Sequence, residues 1–262
     1  MNELDELARD LADEQGALDK LVAGLDESDW LRDTPARGWC VRDQIAHLAY
    51  FDAAAAQAIT DSAAFLVVRD ELVRAAFAEG VDEFTLRPFR EMTPALVLAA
   101  WRENRATLKA AARRLTRESR VPWYGPDMSG RSFLTARLME TWAHGVDVAD
   151  ALGVAPSDSA RLAHIVRLGV ITRDWSYRVR AESTPEVSIA VRLDGADGTY
   201  EHGPSDAEEV LTGPALDFCL VVTQRRHVDD TALVTGAWGR HWMLRAQAFA
   251  GGPTTGPAPR ST

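Results

Sequence analysis

The chain has 262 residues, 46% of them hydrophobic and 26% charged, enough for one large or two small units of ordinary globular composition. Its formal net charge of -10 argues against a nucleic-acid partner, which needs a basic footprint, and gives no reason for attraction to anionic lipid. No apolar run reaches the length of a membrane span, and Asp5, Glu6, Arg9 and Asp10 argue against a signal peptide, so a cytoplasmic protein with no membrane partner is expected.

Taken in order, residues 3–26 repeat Leu4, Leu7, Leu11, Leu18, Leu21, Val22 and Leu25 at helical spacing. Pro35 and Gly38 mark a loop before a second helix over roughly 41–59. Within it, the Ala53–Ala56 run suggests a tightly packed face. A third helix covers roughly 61–80, and residues 81–92 read as loop. Thr93-Pro94 opens a fourth helix with a cap and a proline at the first position, running to about 118. The Gly-, Pro- and aromatic-rich loop 121–130 leads to a fifth helix over 131–150, with Ser129 or Ser132 to cap its start and Gly153 to end it. A sixth helix is expected over 157–181. Beyond Ser183-Thr-Pro185 the pattern becomes β: a strand over 187–193, a turn, a partner through Tyr200 and a short strand near Val210. Helices over 213–226 and 237–248 follow, then a Gly/Pro/Thr-rich tail. The fold class is mainly α: a helical bundle over 1–183, a small α+β domain over 184–250 and a disordered tail over 251–262.

Chemistry concentrates on the fifth helix. Glu140 and His144 are four apart, hence on one face, one turn from each other. A carboxylate and an imidazole so placed are two-thirds of a three-ligand metal site. They suit a hydrogen-bonded Glu–His pair equally well. Leu138, Met139, Trp142, Ala143 and Val146 flank them with apolar bulk, so the pair needs partners of one kind or the other. The best supplier of a third ligand is His47, which by itself would read as a core histidine. Cys40, seven residues before His47, reads as a small buried residue before it reads as a reactive thiol. Cys40 and Cys219 fit no disulfide framework and are expected to be reduced. Asp43 suits a dipole or capping role. Asp147, three after His144, could orient that histidine from behind or form a surface ion pair, and Asp52 is similarly open. Trp39, Trp123 and Tyr124 are loop aromatics that could wall a substrate or cofactor site or simply pack.

Gly38-Trp-Cys-Val-Arg-Asp-Gln-Ile-Ala-His-Leu48 and Met139-Glu-Thr-Trp-Ala-His-Gly-Val-Asp-Val148 resemble the two metal motifs of the DinB-like superfamily, in particular its mycothiol-dependent maleylpyruvate isomerase branch. The resemblance spans nearly the whole chain. Glu140 stands where the wider superfamily often has a histidine, a departure that points to the isomerase branch. The resemblance implies an up-and-down four-helix bundle with a small C-terminal α+β domain. It puts His47, Glu140 and His144 on the metal positions, catalytic through that metal. The ion implied is zinc, with nickel as the alternative, and the cofactor a low-molecular-weight thiol such as mycothiol. The expected function is then isomerisation of, or S-transfer to, a small electrophilic substrate, with metal coordination ionising the thiol. Two other readings stay open. One is a thiol-independent enzyme using metal-bound water, and the other a non-catalytic metal or small-molecule binder.

Overall fold

Leu4, Leu7, Leu11, Leu18 and Val22 are all buried along one stripe, which is why α1 (Glu3–Val22) forms as an amphipathic helix. The computed structural model describes residues 3–78 and 80–260. The expected loop after α1 contains one helical turn, α2 (Glu27–Trp30), whose cap is Asp26 accepting from the Asp29 amide at 2.9 Å. Next come α3 (Val41–Thr60) and α4 (Ser62–Ala78). The stretch expected as loop over 81–92 instead holds α5 (Val81–Leu86) and a 3-10 turn, Arg87–Phe89. Leu86 and Phe89 are buried there among Val41, Ile45 and Leu48. Six residues are too few for a periodic signal, so tertiary packing decides the conformation.

Helix α6 (Pro94–Ala112) starts as expected, with Thr93 Oγ1 accepting from the Leu96 amide. A two-residue hairpin, β1 (Arg120–Val121) with β2 (Met128–Ser129), then closes the loop that carries Trp123 and Tyr124. Helix α7 (Gly130–Leu152) is capped by Ser129, whose Oγ accepts from the Ser132 amide at 3.2 Å. It ends at Gly153 in the left-handed conformation, φ 70°.

Helices α1, α3, α6 and α7 form a four-helix core. Contacts along the helices set their directions. Gln44 meets His144 while Asp52 meets Arg137, so α3 and α7 are antiparallel. Asp19 meets Arg102 while the Gln15 carbonyl meets Arg105, so α1 and α6 are antiparallel. Glu3 meets Arg131 while Leu18 lies against Gly145, so α1 and α7 run the same way. Helices α3 and α6 therefore share the opposite direction, and α4 with α5 makes the long return between them.

The chain divides into two compact units, one through Ser157 and the other from Asp158. The boundary expected near residue 184 falls inside the second of these units. In the second unit, α8 (Leu162–Ile171) and α9 (Arg173–Arg178) replace the single sixth helix that was expected. The break falls at Thr172, whose hydroxyl bonds to the carbonyls of Leu168 and Gly169. Strands β3 (Ile189–Gly195), β4 (Gly198–His202) and β5 (Glu209–Pro214) form a mixed sheet in the order β4-β3-β5, antiparallel then parallel. Helices α10 (Ala215–Val222) and α11 (Ala237–Met243) complete the unit. Gly169 lets α8 approach α10 closely, since a Cβ there would lie 2.7 Å from the Phe218 ring. The tail expected to be disordered is exposed and has no regular structure over 251–260, yet it is tied down. The Thr254 hydroxyl donates to Gln224 at 2.8 Å and the Arg260 amide to Asp230 at 3.0 Å. Residues 261–262 of that tail lie outside the described residues. No described helix is long and apolar enough to cross a membrane.

Candidate metal centre

The Cys40 amide and thiol both donate to Asp43 Oδ2, at 3.0 and 3.1 Å, and this pairing starts α3. Burial pushes the Cys40 thiol up, and the Asp43 carboxylate adds to that. Cys40 thus sits at the start of α3 with its thiol paired to Asp43. Asp43 has the capping role that its position suggested. Cys219, fully buried in the second unit, is also a free thiol.

Less than two turns into α3, His47 faces α7. One donor atom from each of His47, Glu140 and His144 lies within 4.8 Å of the others. Among the described residues this is the group of three such side chains that could hold a metal. His144 Nε2 stands 3.4 Å from Glu140 Oε2. Two donors sharing one ion at about 2.1 Å in tetrahedral array lie about 3.4 Å apart, so the donor set fits a divalent metal. The His47 and His144 rings are 4.4 Å apart between centroids. His144 is buried, and Glu140 keeps 28% of its side-chain exposure. Burial pushes the Glu140 carboxyl upward. When His144 is protonated, its Nε2–H and its charge oppose this, with help from Arg137 and His47, and bring the group down to about 2.

Behind His144, Gln44 receives the second ring nitrogen: His144 Nδ1 and Gln44 Oε1 are 2.5 Å apart. This contact on His144 comes from the facing helix α3. Asp147 itself is buried on α7. Gln44 in turn donates to Thr34 Oγ1 at 2.8 Å, and Thr34 donates to the Trp39 carbonyl at 2.9 Å.

Asp52, undecided from sequence, is the hub of the bundle. Fully buried on α3, it accepts from Gln15 of α1 at 2.9 Å, Trp101 of α6 at 3.2 Å and Arg137 of α7 at 2.8 Å. All four core helices meet in this one knot. It lies five residues after His47 and ties to α7 three residues before Glu140, so it holds the two ligand-bearing helices in register.

Of the three loop aromatics, only Trp39 reaches the ligands. Its ring lies 5.1 Å from His47 and stacks on His144 at 6.0 Å and 13°. Its indole N–H donates to Asp82 at 3.2 Å. Trp123 and Tyr124 stand one layer back. They pack on Phe51, 6.2 and 5.6 Å away, and Phe51 packs on His47 at 4.5 Å. Trp123 also stacks on Phe65 and meets Phe133 edge-on. Burial pushes the Tyr124 phenol up. The alanine run is buried at Ala54, Ala55 and Ala56, but it is not fully covered: a cavity of about 490 Å³ lies along it, lined also by Tyr50, Gln57 and Asn104.

The family model described as the mycothiol maleylpyruvate isomerase N-terminal domain matches residues 11–149, a stretch containing all three candidate ligands. Two proteins described as uncharacterized, from Mycobacterium tuberculosis strains CDC 1551 / Oshkosh and ATCC 25618 / H37Rv, are each 42% identical over 251 residues, covering 94% of this chain and 96% of theirs. The crystal structure of a mycothiol-dependent maleylpyruvate isomerase is similar with a TM-score of 0.59 at 17% identity, over 88% of this chain and 93% of that one. A structure of a mutant of that enzyme matches at 16% identity with the same TM-score and coverage. At such identity the likeness carries the fold: mainly α, with a small C-terminal unit.

Proposed function

The chain belongs to the mycothiol maleylpyruvate isomerase N-terminal domain family, and from that membership we propose a divalent-metal-dependent enzyme that uses a low-molecular-weight thiol of the mycothiol kind. It would isomerise a small electrophile or transfer sulfur to it. The observation carrying this reading is the convergence of two imidazole nitrogens and one carboxylate oxygen from antiparallel helices within 4.8 Å. His47, Glu140 and His144 would hold the metal, zinc first and nickel second, since two histidines and a carboxylate accept both. When bound with an open position, such an ion supplies Lewis acidity that favours the ionised form of a thiol placed there.

The chain's own residues supply the rest. Glu140 is the one anionic donor among the three candidate ligands and offsets the ion's charge. Trp39 lies over both histidine rings and limits water on that side. Phe51 also packs on His47, and Trp123 and Tyr124 pack on Phe51 in turn. A half-buried aromatic edge beside a cationic centre suits a small substrate with an apolar portion and a carboxylate.

The test is metal analysis of unchelated protein, then turnover with and without metal and with and without mycothiol or a truncated analogue, on conjugated electrophiles such as maleylpyruvate. Shifted absorbance with free thiol recovered reports isomerisation. Loss of the double-bond absorbance with thiol consumed reports transfer. A substrate that turns over equally well without thiol would remove the thiol from the mechanism and leave metal-bound water as the nucleophile or base.

A further inference from the structure

Gln44 and Thr34 are 0% and 9% exposed, so their polar atoms must find partners within the protein. A backbone carbonyl carries no proton. The Trp39 carbonyl can therefore only accept, and it does so from the Thr34 amide at 2.9 Å and the Thr34 hydroxyl at 2.9 Å. The single hydroxyl proton is then used, and Thr34 Oγ1 can offer the next residue only a lone pair. Gln44 must turn its NH2 toward Thr34, at 2.8 Å. Its carbonyl must in consequence face His144 Nδ1, at 2.5 Å. An acceptor there requires that Nδ1 carry a proton. In neutral His144 the bare nitrogen is then Nε2, the one 3.4 Å from Glu140.

We propose that Gln44, with its direction set by Thr34 and the Trp39 carbonyl, is a positioning residue that fixes His144 as the Nδ1–H tautomer and aims the Nε2 lone pair at the metal. The inference rests on the metal reading of the site. The direction of the chain of donors follows from the Thr34 hydroxyl donating to the Trp39 carbonyl, an atom that can only accept. The opposite orientation would set the amide NH2 against His144 and draw the Thr34 hydroxyl proton away from the Trp39 carbonyl to the amide oxygen, giving up the Thr34 hydroxyl–Trp39 bond. Nε2 and the Glu140 carboxylate then both face the place the three donors define. Trp39 thus joins the site twice, by its ring against both histidines and by its carbonyl at the far end of the relay.

The experiment has three arms on the full chain. Nitrogen-15 NMR of the histidine side chains, on metal-free protein above the imidazole titration and again on the zinc-loaded form, should place the His144 proton on Nδ1 in both. Zinc affinity by competition with a chromophoric chelator should fall on the order of 10–100-fold in Gln44→Leu, and measurably in Thr34→Val, which touches no ligand. Gln44→Glu keeps an acceptor for Nδ1–H and should retain the tautomer and most of the affinity. A merely packing role predicts that this buried charge is at least as damaging as leucine. Circular dichroism checks folding of each variant, and if Gln44→Leu does not fold, Thr34→Val and the wild-type spectra decide. A proton on Nε2 in the metal-free protein, or unchanged zinc affinity in folded Gln44→Leu and Thr34→Val, would overturn the proposal. If the wild type binds no zinc while the proton still sits on Nδ1, the metal reading fails and the relay stands.

Discussion

Glu140 is the one anionic donor among the three candidate ligands. Glu140→Gln nearly preserves shape while removing the charge, so it should weaken zinc binding yet leave the helix intact. His144→Ala removes a donor and should abolish most metal occupancy, because two donors are too few for a stable site. Metal content by atomic emission after dialysis against dilute zinc checks both, and full occupancy in His144→Ala would show that the ion is held elsewhere. This part of the site is legible in sequence because four residues on one helix determine a shared face. Gln44 is not legible. Its partner lies 100 positions away, and nothing in a helical glutamine announces which helix it will face. Spacing along α7 puts Asp147 near His144, while the Nδ1 edge of that ring points across to Gln44 of α3. The three loop aromatics look alike in sequence, and only the path of the chain separates Trp39 from Trp123 and Tyr124.

Among the elements, the contact that matters most to the site is the Asp52–Arg137 pair between α3 and α7, with side chains 0% and 4% exposed. Its carboxylate is also bonded by Gln15 and Trp101, so the charge is well compensated. Removing one partner strands the other. Asp52→Ala or Arg137→Ala should each cost about 3–5 kcal/mol, and the joint replacement by packed apolar residues should cost clearly less than their sum. Urea unfolding of the singles and the double measures this, and additive costs would deny the coupling. A second pair, Asp19 of α1 with Arg102 and Arg105 of α6, predicts the acid response. The hydrogen bond from Arg102 is the largest influence and holds the Asp19 carboxyl below its ordinary 3.8. A carboxyl depressed in the folded state adds stability that is fully present above its unfolded value and is lost as pH falls. The α1–α6 contact should therefore weaken from about pH 5 downward, and Asp19→Asn should flatten that part of the stability profile. Helix existence and caps were readable here because long periodic runs, Thr93-Pro94 and Ser129 are local signals. The short α5 and the break at Thr172 were not, since packing of Leu86 and Phe89 and a side-chain bond to a helix carbonyl decide them.

At the scale of the whole molecule, the chain divides after Ser157, and this changes which fragment should stand alone. Composition shifts near residue 184, where β-branched alternation begins, and a boundary read from that shift falls between secondary-structure classes. Folding units follow burial instead. In the second unit, Leu162, Ile165 and Val166 of α8 are fully or almost fully buried. Gly169 brings α8 so close to α10 that a methyl group would meet Phe218 and Val222. The face of α8 is thus completed by residues far beyond 184. A fragment ending at Ala181 would carry α8 and α9 without α10 or the sheet, and would expose that apolar face to water. A fragment ending at Ser157 keeps α1, α3, α6 and α7, the Asp52 knot, the Gln44 relay and all three candidate ligands. It even keeps the Trp142 indole bonded to the Ser157 carbonyl at 2.9 Å. The shorter fragment should therefore be monodisperse, unfold cooperatively and bind zinc, while the longer one should aggregate or bind a hydrophobic dye. Size-exclusion chromatography, thermal melts and chelator competition on the two fragments decide it. Zinc binding by a folded 1–181 fragment with none by a folded 1–157 fragment would mean that residues after Ser157 complete the site.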